Sequence, residues 1–207
     1  MGKRRKRQQD GPELRKGADR RVRADAQRNI DALLEATKAV FLVSGVDAPV
    51  REIADKAGVG VGTVYRHFPQ RSDLIVAVFQ HEVDACADAA PALATKHQPG
   101  EALARWMHRY VDLIAKKRGL AKALNSGDPA YDALPVYFKK RLCPALQTLL
   151  DAAAAAGEIR GGVESYDLLL AVAGLCSVST HPALHVGPDR ARRMVELLID
   201  GLRYQGR

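Results

Sequence analysis

The stretch VREIADKAGVGVGTVYRHFPQRSDL, residues 50–74, decides the fold of this chain. In its first eight residues the apolar side chains recur at steps of three and four, which predicts a short helix with one buried face. Gly58 follows the last periodic residue, and glycine ends helices there because it accepts a left-handed backbone. A second short helix is expected over residues 61–68, with Val64 and Phe68 turned inward. The pattern therefore predicts a helix-turn-helix.

The second helix carries a polar outer face that suits the major groove of DNA. Its amino terminus, at Val61 and Gly62, directs free N–H groups toward phosphate, and Gly62 lets the backbone come close. Thr63 can offer a hydroxyl to a phosphate or base and a methyl group to thymine, and Arg66 can bind O6 and N7 of guanine. The alternative for Arg66 is a solvated surface arginine, and that alternative stays open.

The whole order of features resembles the signature of the TetR family of transcriptional regulators. An apolar helix ends at Gly45, the helix-turn-helix follows, and Asp73 and Leu74 come after the sequence YRHFP. The resemblance covers roughly residues 26–85. It implies an all-α fold with an N-terminal three-helix DNA-binding domain, over residues 23–85, and a larger C-terminal helical domain for ligand binding and dimerisation, over residues 86–207.

The resemblance also assigns roles to single residues. Tyr65 and His67 match positions that hold the DNA backbone, although His67 could equally pack against the next helix. Arg71 matches a phosphate-contacting lysine or arginine. The chain departs from the family pattern at Ala48, where a serine or threonine would cap the helix and could bring a hydroxyl to phosphate, so Asp47 or Ala48 must serve as the cap here. It departs again at Gly60, which can cap the recognition helix but brings no side-chain oxygen.

The excess positive charge is concentrated at the amino terminus. Lys and Arg exceed Asp and Glu by 32 − 24 = 8 over the chain. Residues 1–28 hold 11 basic and 4 acidic residues, a net of +7. Glycines and a proline interrupt residues 1–22, and few apolar residues are present, so we expect a disordered basic arm. Beside a DNA-reading domain such an arm adds phosphate contacts with little sequence preference.

Composition argues against several other classes of protein. No stretch is apolar over a length that spans a bilayer, and no apolar segment follows the basic amino terminus. The three cysteines are widely spaced, and the spacing of the six histidines does not predict a metal site. We therefore expect a cytoplasmic bacterial protein associated with the nucleoid, with no cofactor, no metal and no membrane partner. An enzyme has thin support, since no nucleophile elbow or phosphate loop links the Ser, His, Asp and Cys residues.

A long fourth helix is predicted from Arg71 to about Leu93, and the region from this helix onward concentrates aromatic and other large apolar side chains. The resemblance implies that this region encloses a small-molecule effector, and a largely apolar ligand is expected. The candidate lining residues are Phe79, Trp106, Met107, Tyr110, Tyr137, Phe138 and Cys143. Ordinary core packing is an equally good interpretation of each of these residues taken singly, because aromatic stripes at helical spacing are common in cores.

The last two helices are predicted over about residues 164–178 and 189–204, and they carry more apolar surface than one subunit needs to bury. By resemblance they pair with their copies in a homodimer, which would present two recognition helices to a two-fold site on double-stranded DNA. The sequence therefore predicts a homodimeric regulator, a repressor released from a pseudo-palindromic operator by a small molecule. A low-specificity architectural protein that binds DNA through its basic arm is the alternative.

Overall fold

The computed structural model describes residues 12–117, 120–124, 126–178 and 188–203. Regular structure within these ranges is helical and includes no strand, which confirms the all-α prediction. The α-helices are α1 (Pro12–Ser44), α2 (Val50–Ala57), α3 (Val61–His67), α4 (Arg71–Ala87), α5 (Ala89–Lys96), α6 (Pro99–Lys117), α7 (Ala121–Leu124), α8 (Leu134–Ala155), α9 (Ser165–Val178) and α10 (Pro188–Arg203).

The helix-turn-helix forms as its sequence pattern predicts. Gly58 has φ 68°, and its N–H donates to the carbonyl of Asp55 while the next N–H donates to Ala54. These two bonds satisfy the last carbonyls of α2 and reverse the chain sharply. Ile53 and Val64 are buried on the inner sides of α2 and α3. Both helices therefore pack on a shared core with α1 and the beginning of α4.

The structure begins α1 at Pro12, so this helix overlaps residues 12–22 of the arm that the sequence predicts to be disordered, and the disorder of the arm stays a prediction. Pro12 begins this helix, and proline is tolerated at the first helical position because its missing N–H would have no partner there. An internal glycine such as Gly17 costs a helix only about 1 kcal/mol, which neighbouring good helix formers can offset. Residues 1–11 lie outside the described part of the chain.

The long helix predicted from Arg71 to Leu93 is two helices, because the chain turns at Asp88 between α4 and α5. Buried residues continue on both sides of the turn, at Cys86, Ala87 and Ala90. α4 packs against α1 at the DNA-reading end, and against α6 and α8 farther along. It is therefore the element that connects the helix-turn-helix to the rest of the molecule.

The C-terminal helices form one continuous core with α4. α8 runs through Pro144 and packs against α4, α6 and α9, while α10 packs against α6 and α9. The N–H of Arg160 donates to the carbonyl of Leu202, which ties the end of α10 to the connection after α8. Among the described helices none is both long and apolar enough to cross a bilayer.

Candidate functional site

The short helix α3 is held from its inner side and leaves its outer side free for contact. Gly60 caps it with φ −71°, and the N–H of Thr63 donates to the carbonyl of Gly60 at 2.9 Å. Val64 is 1% exposed, whereas Tyr65 is 52% exposed. The sequence assigned these inner and outer sides correctly, because one buried residue at helical spacing sets the orientation of the whole helix.

The seven residues predicted to contact DNA fall into two groups by exposure. Gly62, Tyr65, Arg66 and His67 are exposed, Val61 and Thr63 are half-buried, and Arg71 is half-buried at the start of α4. His67 lies beside Phe68, with ring centroids 6.3 Å apart. The structure thus brings six of the seven residues together on α3 and places the seventh beyond the next turn.

The two glycines of this surface are not required by the fold. A Cβ atom built on Gly60 or on Gly62 would meet nothing within 4 Å, and neither residue has a positive φ. Glycine costs an internal helical position about 1 kcal/mol relative to alanine. The missing side chain at Gly62 therefore carries a cost that no contact within the described chain explains, and it leaves space above the helix amino terminus.

Arg71 is engaged inside the protein and does not extend freely toward solvent. Its guanidinium donates through Nε and Nη2 to the carbonyl of Val46, in the turn between α1 and α2. The same group lies 5.4 Å from the centroid of the Phe41 ring, a cation–π distance. In this structure Arg71 joins the start of α4 to the α1–α2 turn, which differs from the phosphate contact that the resemblance implies.

The start of α4 is further secured by a capping box. The carboxylate of Asp73 accepts a hydrogen bond from the N–H of Gln70 at 2.9 Å, and the Gln70 side chain accepts one from the N–H of Asp73. An acidic residue in the first turn also complements the positive end of the helix. The turn after α3 is therefore firmly joined to α4.

Trp106 and Tyr110, two of the predicted effector residues, lie in the core of the C-terminal region. Their rings stack with centroids 6.0 Å apart, and each is at most 1% exposed. The indole N–H of Trp106 donates to the carbonyl of Cys86 at 2.9 Å, and the Tyr110 hydroxyl donates to the carbonyl of Leu169 at 3.2 Å. Burial raises the pKa of Tyr110 well above its usual value. Packing alone accounts for both rings.

The other residues predicted to line an effector pocket differ in how deeply they are buried. Phe79 and Met107 are buried, while Tyr137, Phe138 and Cys143 on α8 are half-buried. The Phe138 ring lies 6.0 Å from that of Tyr110. The structure therefore brings most of these side chains around one aromatic core shared by α4, α6 and α8.

A polar cluster between α4 and α8 was not foreseen from the sequence. Asp84 accepts hydrogen bonds from the Tyr137 hydroxyl, at 2.6 Å, and from Arg141, which also reaches Asp88 at 2.8 Å. Burial and the hydrogen bond to Asp84 raise the pKa of Tyr137 to about 12. These partners are more than fifty residues apart, so no local spacing signals them. The cluster fastens α8 to α4 beside the turn at Asp88.

The last two helices each expose a large apolar side chain. Leu170 on α9 is 52% exposed, and Leu197 on α10 is 71% exposed. Small residues accompany them, since Ala171, Gly174 and Gly201 are exposed on the same two helices. An exposed leucine beside small residues permits close helix contact, as expected of an interface between subunits.

Two family descriptions match the chain. One, described as bacterial regulatory proteins of the tetR family, matches residues 33–78, and the other, described as the C-terminal domain of SbtR-like transcriptional regulators, matches residues 98–204. The second match alone covers more than half of the chain. The two matched segments correspond to the helix-turn-helix region and to the helices from α6 onward.

Solved structures extend this similarity over most of the chain. A TetR transcriptional regulator from Streptomyces coelicolor is 39% identical with a TM-score of 0.70, over 85% of this chain and 99% of that one. A TetR transcription regulatory protein from Mycobacterium vanbaalenii is 35% identical with a TM-score of 0.65, over 88% and 99%. An HTH-type transcriptional regulator of Staphylococcus aureus is 38% identical over 64 residues, which is 30% of this chain and about a third (35%) of that relative.

Proposed function

The chain belongs to the TetR family of bacterial transcriptional regulators, and from that premise we propose that it binds a pseudo-palindromic operator as a homodimeric repressor and is released by a small molecule. The family comprises DNA-binding regulators, not enzymes. The observation that carries the proposal is the outer surface of α3, where exposed polar side chains surround a glycine that the fold itself does not require.

We propose that Thr63 and Arg66 recognise the base sequence of the operator. Arg66 is exposed in the last turn of α3, and a guanidinium can donate two parallel hydrogen bonds to guanine. Tyr65 and His67 are exposed beside it and suit contacts to the phosphate backbone. Gly62 would allow phosphate to approach the amino terminus of α3, where N–H groups and the helix dipole favour an anion.

Dimerisation is proposed through α9 and α10. Each helix exposes a leucine to water, and a second copy of the same two helices would cover both side chains. Two-fold symmetry of the protein would then match the two-fold symmetry of the operator. Residues 179–187, which join α9 to α10 in the sequence, lie outside the described part of the chain.

Release by an effector is proposed to act through α4. This helix contacts α1 near the DNA-reading surface and α6 and α8 in the C-terminal region. A ligand that favours one arrangement of the C-terminal helices would change the position of α4 and the separation of the two α3 helices. The ligand must prefer that arrangement, because equal binding to both would shift nothing.

The test is selection of bound duplexes from a random DNA pool by the purified protein at near-physiological salt, followed by sequencing. Enrichment of an inverted repeat is the expected result. Binding without an enriched motif, which collapses as salt rises, would instead favour the architectural alternative. Deletion of residues 1–22 separates the two further, since a regulator keeps its motif with weaker binding and the alternative loses binding altogether.

A further inference from the structure

A charged cleft lies where α1 and α4 meet α6, and one of its lining residues, Cys86, accepts a hydrogen bond from Trp106 of the aromatic core. Its volume is about 210 Å³. We call it the junction cleft, and it is lined by Glu35 and Lys38 of α1, by Glu82, Ala85 and Cys86 of α4, and by Arg109, Asp112 and Leu113 of α6. It contains none of the seven side chains predicted to line an effector pocket.

Ion pairs within the protein account for most of the charge in the junction cleft. Lys38 is 2.6 Å from both Glu35 and Glu82, and Asp112 is 2.6 Å from Arg192 of α10. Burial lowers the pKa of Lys38, but the two glutamates outweigh it, so this pKa is raised and the lysine remains charged. Lys38 is thus shared by two glutamates, and Arg192 pairs with Asp112, so two cations serve three carboxylates.

Arg109 is the charged group of the cleft that these pairs leave over. It makes no ion pair or side-chain hydrogen bond within the described part of the chain. Its planar guanidinium can donate two parallel hydrogen bonds to a carboxylate. Ala85, Cys86 and Leu113 add apolar surface to the lining of the cleft. The cleft therefore combines one available cation with a small apolar surface.

We propose that the junction cleft binds a small organic carboxylate, with the carboxylate on Arg109 and the hydrocarbon part against Ala85 and Leu113. The volume is below the roughly 300–1,000 Å³ of pockets for drug-sized ligands, so the ligand has few non-hydrogen atoms. Because the cleft is lined by residues of α1, α4 and α6, an occupied cleft would connect the DNA-reading helices to the C-terminal region. That regulatory role rests on the function proposed above; binding itself does not.

The first experiment measures binding to the full chain without DNA. Benzoate, butyrate and pyruvate are titrated by calorimetry, and the fluorescence of Trp106 is followed in parallel. Trp106 is the only tryptophan of the chain, and its N–H bonds the carbonyl of Cys86, a lining residue. Saturable binding of at least one carboxylate, with a change in Trp106 emission, is the expected result. No saturation by any of the three up to about 10 mM would overturn the proposal.

Variants locate the bound carboxylate. Arg109→Gln should weaken binding about tenfold or more, because a charge-assisted hydrogen-bonded pair is lost. Arg160→Gln is the matched control, since Arg160 is exposed in the connection between α8 and α9, and it should bind as the unaltered chain does. Ala85→Leu, at an exposed position of α4, should fill the cleft and also abolish binding. Equal affinities of the Arg109 and Arg160 variants would exclude the site.

Two further measurements complete the test: the binding of a neutral analogue of benzoate, and the affinity of the protein for DNA in the presence of carboxylate. Benzamide has the shape of benzoate without its charge, and it should bind at least about tenfold more weakly. Equal binding of the two would refute recognition by Arg109. A saturating carboxylate should also change the affinity for the selected DNA. Carboxylate binding without any DNA motif would refute the proposed function and leave the cleft standing, whereas an intact motif without carboxylate binding would refute only the cleft.

Discussion

Replacing Arg71 separates two roles that a single arginine could have. The resemblance implies a phosphate contact, whereas the structure joins its guanidinium to the carbonyl of Val46 and to the Phe41 ring. Arg71→Gln removes both internal contacts and the charge. Hydrogen bonds from a charged donor contribute about 1.5–3 kcal/mol, and a cation–π contact adds about 0.5–1 kcal/mol. We therefore expect a loss of roughly 2–4 kcal/mol in the free energy of unfolding.

This loss should be visible without DNA. In a protein of this size 1 kcal/mol changes Tm by about 2–4 °C, so Arg71→Gln should lower the Tm measured by circular dichroism by at least about 4 °C. The Tm of Arg71→Lys should lie between those of Arg71→Gln and the unaltered chain, because an ammonium group keeps the charge but cannot reproduce the guanidinium geometry. Arg66→Gln is the control, since Arg66 is exposed, and its Tm should stay within about 1 °C of the original.

The salt dependence of operator binding supplies the opposing outcome. A lost phosphate contact lowers the log–log slope by about 0.9, whereas a lost internal contact leaves that slope unchanged. An unchanged Tm together with a slope reduced by about 0.9 would refute the internal role. Arg71 would then have to leave Val46 when DNA binds.

Four further substitutions test separate parts of the molecule. Gly62→Ala should raise the free energy of unfolding of the free protein by up to about 1 kcal/mol, through helix propensity, and therefore raise its Tm. The same change should weaken operator binding in a gel-shift titration. Unchanged affinity would show that DNA does not approach this glycine. Arg66→Ala should cost about 1–3 kcal/mol and relax selection at one base pair, and an equal loss on all sequences would make it a phosphate contact. Leu197→Glu should convert the dimer to a monomer in analytical ultracentrifugation, while the similarly exposed Leu42→Glu in the DNA-reading region should not; a dimer that persists would place the interface elsewhere. Tyr137 has a pKa raised above its unfolded value of about 10 to about 12, so its contribution to stability is complete below pH 10 and is lost as pH rises toward 12. Tyr137→Phe should flatten the fall in denaturant midpoint across that window, and an identical fall in both proteins would contradict the assignment.

Local signals were enough to predict the helix-turn-helix. A glycine with a left-handed backbone and one buried residue per turn depend on neighbours within a few positions, and Gly58 and Val64 behave as expected. The order of features over residues 26–85 then identified the family. The boundary of α1 was harder, because proline and glycine lower helix propensity by amounts that a long adjoining helix can outweigh.

Tertiary partners set the limit of what the sequence could predict. Arg71 bonds a carbonyl 25 residues away, and Lys38 reaches Glu82 across 44 residues. Periodicity places such side chains on a helix face but does not identify what stands opposite. The same holds for Trp106 and Tyr110, whose apolar spacing is shared by core residues and by cavity walls. For this reason the recognition surface followed from the sequence more readily than the ligand site.

α4 ends at Asp88, where Arg141 bonds both Asp84 and Asp88, so we expect any pivot of α4 to be about this end. α4 has 17 residues, which corresponds to a length of about 25 Å at 1.5 Å per residue. A pivot of about 8° at the Asp88 end would move the other end, beside the recognition helix, by about 3.4 Å, the rise of one base pair. In the proposed homodimer, subunits pivoting in opposite senses would change the spacing of their recognition helices by twice that amount. An angular change far smaller than one helical turn is thus enough to take both helices out of step with neighbouring major grooves.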